Sequence, residues 1–399
     1  MNQRNTFISG MVAITFLIIS CSKFEPEAPD DDSILDGPVN GLTYEQNRQF
    51  LAGDIAFNNE IFTPATGLGP IFVATSCGSC HAGDGKGTPF TTLVRFGQTD
   101  STGNKYLHLG GPQLQNRAIP GFKTEVIPNG ATSSKFTPPA NTGLGFLELV
   151  SDEDILSMSD PEDSNGDGIS GVPSFGYLPE FITPNSNAVV KNGKYIHRFG
   201  KKAAAYNLLH QTVNAYNQDM GITSTFTPHD VYSGHTIDPE VSDKTVRDVV
   251  FYLQTLKAPI PRSKGNGNFE TGKALFTQIN CSGCHTPQLK TGFSPVSALS
   301  NKTIYPYTDM LLHDMGNDLD DGYTEGFAKT SEWRTPALWG LGLSPNSQGG
   351  QYFLMHDGRA KSIEEAIMMH GGEAKQSKDK FNLLNESEKS AIIQFLKSL

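Results

Sequence analysis

Cysteine is scarce in this sequence, with five among 399 residues. Four of them sit in two short motifs and the fifth lies near the N-terminus, which leaves none for a structural disulfide. Large basic clusters are missing too, and with a formal net charge of -11 the chain carries no electrostatic footprint for nucleic acid. The N-terminal apolar run, Met11 to Ile19, falls well short of the ~20 residues that a bilayer span requires. Hydrophobic residues make up only 37%, while 41 Gly and 24 Pro point to long turn-rich segments between the regular elements. The length still allows two or three domains and a substantial core.

What is present begins with an export signal. Arg4 precedes the apolar run and Ile18-Ile19-Ser20-Cys21 closes it, so residues 1–20 read as a signal peptide. Those closing residues resemble the lipobox of bacterial lipoproteins, which makes Cys21 the expected lipidation site and anchor to a membrane. Residues 21–42 are acidic, proline-bearing and poor in apolar side chains, the composition of a tether. The expected location is the bacterial cell envelope, as a periplasm-facing or surface lipoprotein at the outer membrane.

The stretch "SCGSCHAGDGKG" holds Cys77, Cys80 and His81, and "NCSGCHTP" repeats the pattern with Cys281, Cys284 and His285. A CxxC pair alone fits zinc, a redox dithiol or haem. A histidine directly after it, in an exported chain, selects covalent haem c attachment. Each motif then supplies two thioether links and one axial ligand, His81 or His285, and the expected cofactors are two haem c groups.

The motifs belong to a larger repeat. Phe50, Gly53 and Phe57 precede the first at the spacing that Phe269, Gly272 and Phe276 show before the second. Downstream, "SDKTVRDVVFYLQTL" (Ser242 to Leu256) parallels "NESEKSAIIQFLKSL" (Asn385 to Leu399): a polar capped start, then an apolar stripe at helical spacing. Helix, CxxCH and closing helix is the plan of a cytochrome c domain. The expected fold is therefore mainly α, with two cytochrome c-like domains at 43–260 and 261–399. The first is enlarged by a loop-rich insertion, Pro89 to Tyr195, near whose end Asn192-Gly193 marks a β-hairpin. Leu256 to Asn268, rich in Gly, Asn and Pro, reads as the interdomain linker.

Several further stretches carry a resemblance: "GGPQLQNRAIPG", "GLGFLE", "DPEDSNGDGISG", "RFGKKA", "QDMGIT", "LLHDMG", "EWRTPALWGLG" and "FLMHDGRAKSIEEAIMMHGGEA". On these the chain resembles the di-haem oxidoreductase family, whose members are labelled peroxidases or thiol oxidoreductases. That family is distantly related to bacterial di-haem cytochrome c peroxidases and MauG. The thiol label has no support here, because no spare reactive cysteine exists. Lys201 is a departure, standing where many relatives carry Trp.

The resemblance implies a peroxidase-type oxidoreductase in which the second haem feeds electrons to a ligand-binding first haem. Its expected partners are hydrogen peroxide and a donor protein such as a small cytochrome or cupredoxin. His370 closes a stripe formed with Ile363, Ala366 and Ile367 on a helix that starts at Ser362. In related peroxidases the residue fourteen places after the "HDG" histidine, here His356, ligates the electron-storing haem. That count reaches His370. Arg334 and Arg359 are candidate propionate partners, with surface ion pairs as the alternative. Glu148 and Gln115 are candidates to move a proton at the first haem, if the insertion folds over it. Asp163, Asn165 and Asp167 alternate as in a calcium loop, but no bidentate acid follows at Ser174. That loop is either calcium-stabilised or an Asx-rich turn. Rival functions are a pure electron carrier, a MauG-like oxidase or oxygenase, and a redox partner in surface iron handling.

Overall fold

A computed structural model of the chain describes Asp30, residues 32–262 and residues 267–399. The expected signal peptide, Cys21 and residues 263–266 of the linker lie outside the described residues. From Leu35 to Leu399 the chain forms one unit that contains both repeats.

The repeats supply its main helices. Helices α1 (Tyr44–Asn58), α2 (Leu208–Met220) and α3 (Asp243–Thr255) gather around the first CxxCH motif. Helices α4 (Gly267–Gln278), α5 (Ile363–Met368) and α6 (Glu386–Ser398) gather around the second. Side-chain caps start them: Thr43 accepts the Gln46 amide on α1, Ser242 accepts Thr245 on α3, and Asn385 forms a capping box with Glu388 on α6.

Helix α1 packs on α3 and α4 on α6, and the two crossings are built alike. Phe50 and Phe57 lie 5.0 and 5.4 Å from the Tyr252 ring, while Phe269 and Phe276 lie 5.3 and 5.5 Å from Phe395. All six rings are buried, and each contributes about 1.5–3 kcal/mol through burial.

Between these helices the fold departs from a mainly helical one. Among the described residues the strands form five small sheets of two or three strands, joined by loops and short helical turns. The Gly/Pro-rich insertion accounts for part of this, since it carries too little helical periodicity to continue the bundle. Within it, β1 (Leu93–Phe96) pairs with β2 (Ser133–Phe136), and β3 (Ser174–Gly176) pairs with the hairpin of β4 (Val190–Lys191) and β5 (Lys194–His197). The hairpin turns at Asn192-Gly193, both left-handed at φ 53° and 73°, as a tight two-residue turn requires. Later, β6 (Leu312–Asp314) pairs with β7 (Glu332–Arg334).

The tether expectation needs one correction. Residues 35–42 are ordered against the unit: Leu35 is buried, Val39 N–H donates to Thr255 O at 2.8 Å, and Lys257 N–H donates to Gly37 O at 3.0 Å. A single leucine with two backbone partners outweighs an acidic composition. Among the described residues no helix is long and apolar enough to cross a membrane.

Candidate functional site

Both motifs open onto one cavity of about 390 Å³, lined by Cys77, Cys80 and His81 at one end and by Cys281, Cys284 and His285 at the other. The two histidines are held identically. His81 directs Nδ1 at the Pro139 carbonyl, 2.9 Å away, and His285 directs Nδ1 at the Tyr307 carbonyl, 3.0 Å away. That bond places the ring proton on Nδ1 and leaves Nε2 as a free lone pair, the arrangement that orients a metal-binding imidazole. Burial pushes both rings down to about 4, so both are neutral, as ligation demands. The thiols do not suit thiolate chemistry. Burial pushes Cys77 and Cys281 up to about 12 and Cys80 up to about 11, against the lowered values of reactive cysteines.

Three other histidines line the cavity, and only one of them leaves Nε2 uncommitted. His313 is bound on both sides, by Asp309 at 2.8 Å and Glu373 at 2.7 Å. Burial opposes its charge, yet the two carboxylates raise its pKa well above the usual value. His356 gives Nε2 to Asp321 at 2.8 Å and stacks on Trp333, with ring centroids 3.7 Å apart and planes 12° from parallel. His370 differs. Its Nδ1 meets the Ala366 carbonyl at 2.7 Å, one turn back on α5, so Nε2 is uncommitted. It lies close enough to His285 to depress that ring's pKa, after burial itself.

The loop "DSNGDGISG" clasps the second motif. Asp167 accepts from Asn280, next to Cys281, at 3.3 Å; Ser170 donates to Glu373 at 2.7 Å; and Ile169 lines the cavity. Its Asp163, Asn165 and Asp167 side chains accept the backbone amides of Gly168, Asp167 and Ile169. These bonds close the loop on itself as an Asx-rich turn.

Three further expectations are corrected. Glu148 does not line the cavity. Its two oxygens accept the Leu208 amide at 2.7 Å and the Gln254 side chain at 2.6 Å, which makes it a buried cap for α2. Gln115 also points elsewhere, donating to the Gln218 carbonyl. Arg359, unlike Arg334, stands outside the cavity and is tied to Asp357 at 2.8 Å and Asp321 at 3.4 Å.

The structure brings in residues that sequence reasoning passed over. Helix α2 turns one face to the cavity beside the first motif, with Thr212, Tyr216 and Asp219. The Thr212 and Tyr216 hydroxyls are buried without a partner. Asp219 accepts from Gln113 through Oδ1, while Oδ2 has no partner among the described residues. Burial raises its carboxyl to about 6, against the opposing pull of Gln113 and Arg95. Asp219 lies within "QDMGIT", a stretch quoted above for other reasons. A carboxylate inside an otherwise apolar helix face was the signal available.

Three features fit a haem at each motif: paired cysteines beside a neutral, oriented histidine; unpartnered buried hydroxyls on the cavity wall; and buried cations facing it. Lys86, Lys201 and Arg334 all line the cavity, and none forms an ion pair among the described residues. Haem propionates would answer those charges.

A family described as "Di-haem oxidoreductase, putative peroxidase" matches residues 134–399. No curated protein matches the chain. Among solved structures, the chain is similar at 14% identity to the hydrazine synthase of Kuenenia stuttgartiensis, with a TM-score of 0.39 over 94% of this chain and 96% of that one. A MauG-like protein associated with microbial copper homeostasis is also 14% identical, with a TM-score of 0.40 over 94% and 95%. For the diheme peroxidase BthA from Burkholderia thailandensis the values are 14% and 0.41, over 88% and 86%.

Proposed function

The chain belongs to the di-haem oxidoreductase family, and from that premise we propose a peroxidase-type enzyme carrying one haem c on each CxxCH motif. The distribution of free imidazole nitrogens carries this reading. His81, His285 and His370 are the cavity histidines with an uncommitted Nε2, and His370 lies near His285. His285 and His370 would together hold the second haem, and His81 the first. Two nitrogen ligands would suit a haem to electron storage, and a single one would leave room for peroxide.

The protein groups beside the first motif suit that division. Thr212 and Tyr216 offer hydroxyls to a small polar ligand, and Asp219, its carboxyl raised to about 6 by burial, can take up and release a proton close to neutral pH. Reduction of hydrogen peroxide takes up two electrons and two protons and yields two waters. The electrons come from a donor protein, a small cytochrome or cupredoxin, and the net charge of -11 favours a basic one. Arg334 serves the propionates. Export and lipidation at Cys21 complete the proposal, resting on the sequence of residues 1–21; a Cys21→Ala variant that stays with the membrane overturns the anchor.

The test is spectroscopic. Intact mass should show two haem additions. The half-reduced protein should contain one low-spin and one high-spin haem and be oxidised on mixing with peroxide. Two low-spin haems with no response to millimolar peroxide give the pure electron carrier instead.

A further inference from the structure

Three cations meet inside the cavity. Lys86 comes from the loop after the first CxxCH, Lys201 from the loop before α2, and Arg334 from β7. Backbone contacts lock the last two side by side: Arg334 N–H donates to Lys201 O at 3.0 Å, and Arg334 Nε donates to Gly200 O at 2.9 Å. Burial is the main cause that lowers all three, Lys86 to about 8, Lys201 to about 7 and Arg334 to about 10. Lys201 is depressed further by Lys86 and Arg334, so it feels both of the others.

The cluster also spans the two motifs. At the first, Gly87, next to Lys86, donates its N–H to Pro138 O at 3.0 Å, beside the Pro139 carbonyl that holds His81. At the second, Arg334 Nη1 and Thr308 Oγ1 both donate to Thr335 O, and Thr308 adjoins Tyr307, whose carbonyl holds His285. Neither lysine ammonium group has a hydrogen-bond or ion-pair partner among the described residues, and Arg334 donates only to backbone carbonyls. Asp357 is within range of Lys201 but is already paired with Arg359.

Like charges gathered around one cavity repel one another unless anions join them. Helix α2 and the loops around it provide one carboxylate at the cavity, Asp219, and it does not act on any of the three. The anions must therefore come with what the cavity holds. Taking both haems as bound, we propose that Lys86, Lys201 and Arg334 form a single anion-binding junction shared by the propionates of the two cofactors. Its consequence is electrostatic: each redox centre is tuned by the same three charges. Lys201, which departs from the aromatic residue of many relatives, is the middle member.

Potentiometric titration of the holoprotein tests this without peroxide, so its outcome is independent of the peroxidase reading. A positive charge stabilises the reduced, more negative state of a nearby haem. Lys201→Gln should therefore lower both midpoint potentials, by about tenfold in each one-electron equilibrium, or about 59 mV, with two haems still attached by mass. Lys201→Arg should restore both, which separates charge from packing. If Lys201→Gln loses haem, Arg334→Gln supplies the same comparison, since it removes a charge from the neighbouring member and should lower both potentials together. A shift confined to one haem, or no shift in either, overturns the shared junction.

Discussion

The carbonyl of Asp248 stands so close to Gly53 that a Cβ there would lie 2.1 Å from its oxygen. Gly272 meets the carbonyl of Ala391 at the same 2.1 Å, and each glycine also faces an aromatic Cβ at 2.6 Å, that of Tyr252 or Phe395. Both neighbours are helix backbone or its first side-chain atom, and neither can turn aside. Gly53→Ala and Gly272→Ala should each destabilise the protein by on the order of 3 kcal/mol, read as a fall in thermal unfolding midpoint. A neutral result at either position would mean that the helices can separate without cost.

His370→Ala should convert one low-spin haem to high-spin, seen in the absorption and EPR spectra of the oxidised protein. His356→Ala should leave the spin states alone, since its ring is engaged with Trp333 and Asp321. It should instead cost about 1 kcal/mol of stability by removing one bond to the Asp321 carboxylate, which keeps Ser134 and Arg359 as partners. Survival of the low-spin signal in His370→Ala would remove the assignment and make Met369 the next residue to test.

Asp219 and Glu148 give an opposed pair. Asp219→Asn should slow oxidation of the half-reduced protein by peroxide about 100-fold, the range of general acid–base help. Glu148→Gln should leave that rate within about twofold of the unmodified protein, yet lower stability by about 1–2 kcal/mol, because an amide cannot accept from both Leu208 and Gln254 as the carboxylate does. Stopped-flow rates and urea unfolding of the same samples separate the two effects. Reversal of the pattern would return the proton-moving role to Glu148.

Asp84, three residues after His81, is buried and accepts from the Tyr252 hydroxyl at 2.6 Å. Burial raises its carboxyl from 3.8 to about 7, more than the Tyr252 bond lowers it. Between those values the folded state binds more protons than the unfolded state, so this group makes stability fall as pH rises from about 4 to about 7. Asp84→Asn keeps an acceptor for Tyr252 and removes the titration. The stability difference between variant and wild type should move in favour of the variant across that interval and stay flat above it. Urea unfolding at pH 5, 6, 7 and 8 measures this, and a constant difference would show that Asp84 is not protonated in the folded protein.

The features legible in the sequence are those set by short-range chemistry. Cys77, Cys80, His81, Cys281, Cys284 and His285 could be found by the CxxCH spacing alone, and the fold brings both motifs to one cavity. Helix periodicity and caps marked α1, α3, α4 and α6, and the same rules put His370 at the end of an apolar stripe. Asn192-Gly193 turned the hairpin because both residues tolerate a left-handed backbone. Tertiary structure decided what each charge faces. Glu148 meets Gln254 across more than a hundred positions, and Arg334 meets Lys201 across a similar gap. No local pattern foretells whether such a side chain caps a helix or lines a cavity. Composition misjudged residues 35–42 for the same reason, since one buried leucine and two backbone bonds hold them to a distant helix end. Burial and electrostatics depend on neighbours brought together by the fold, so the placement of Asp219, Lys86, Lys201 and Arg334 around one cavity exists only in three dimensions.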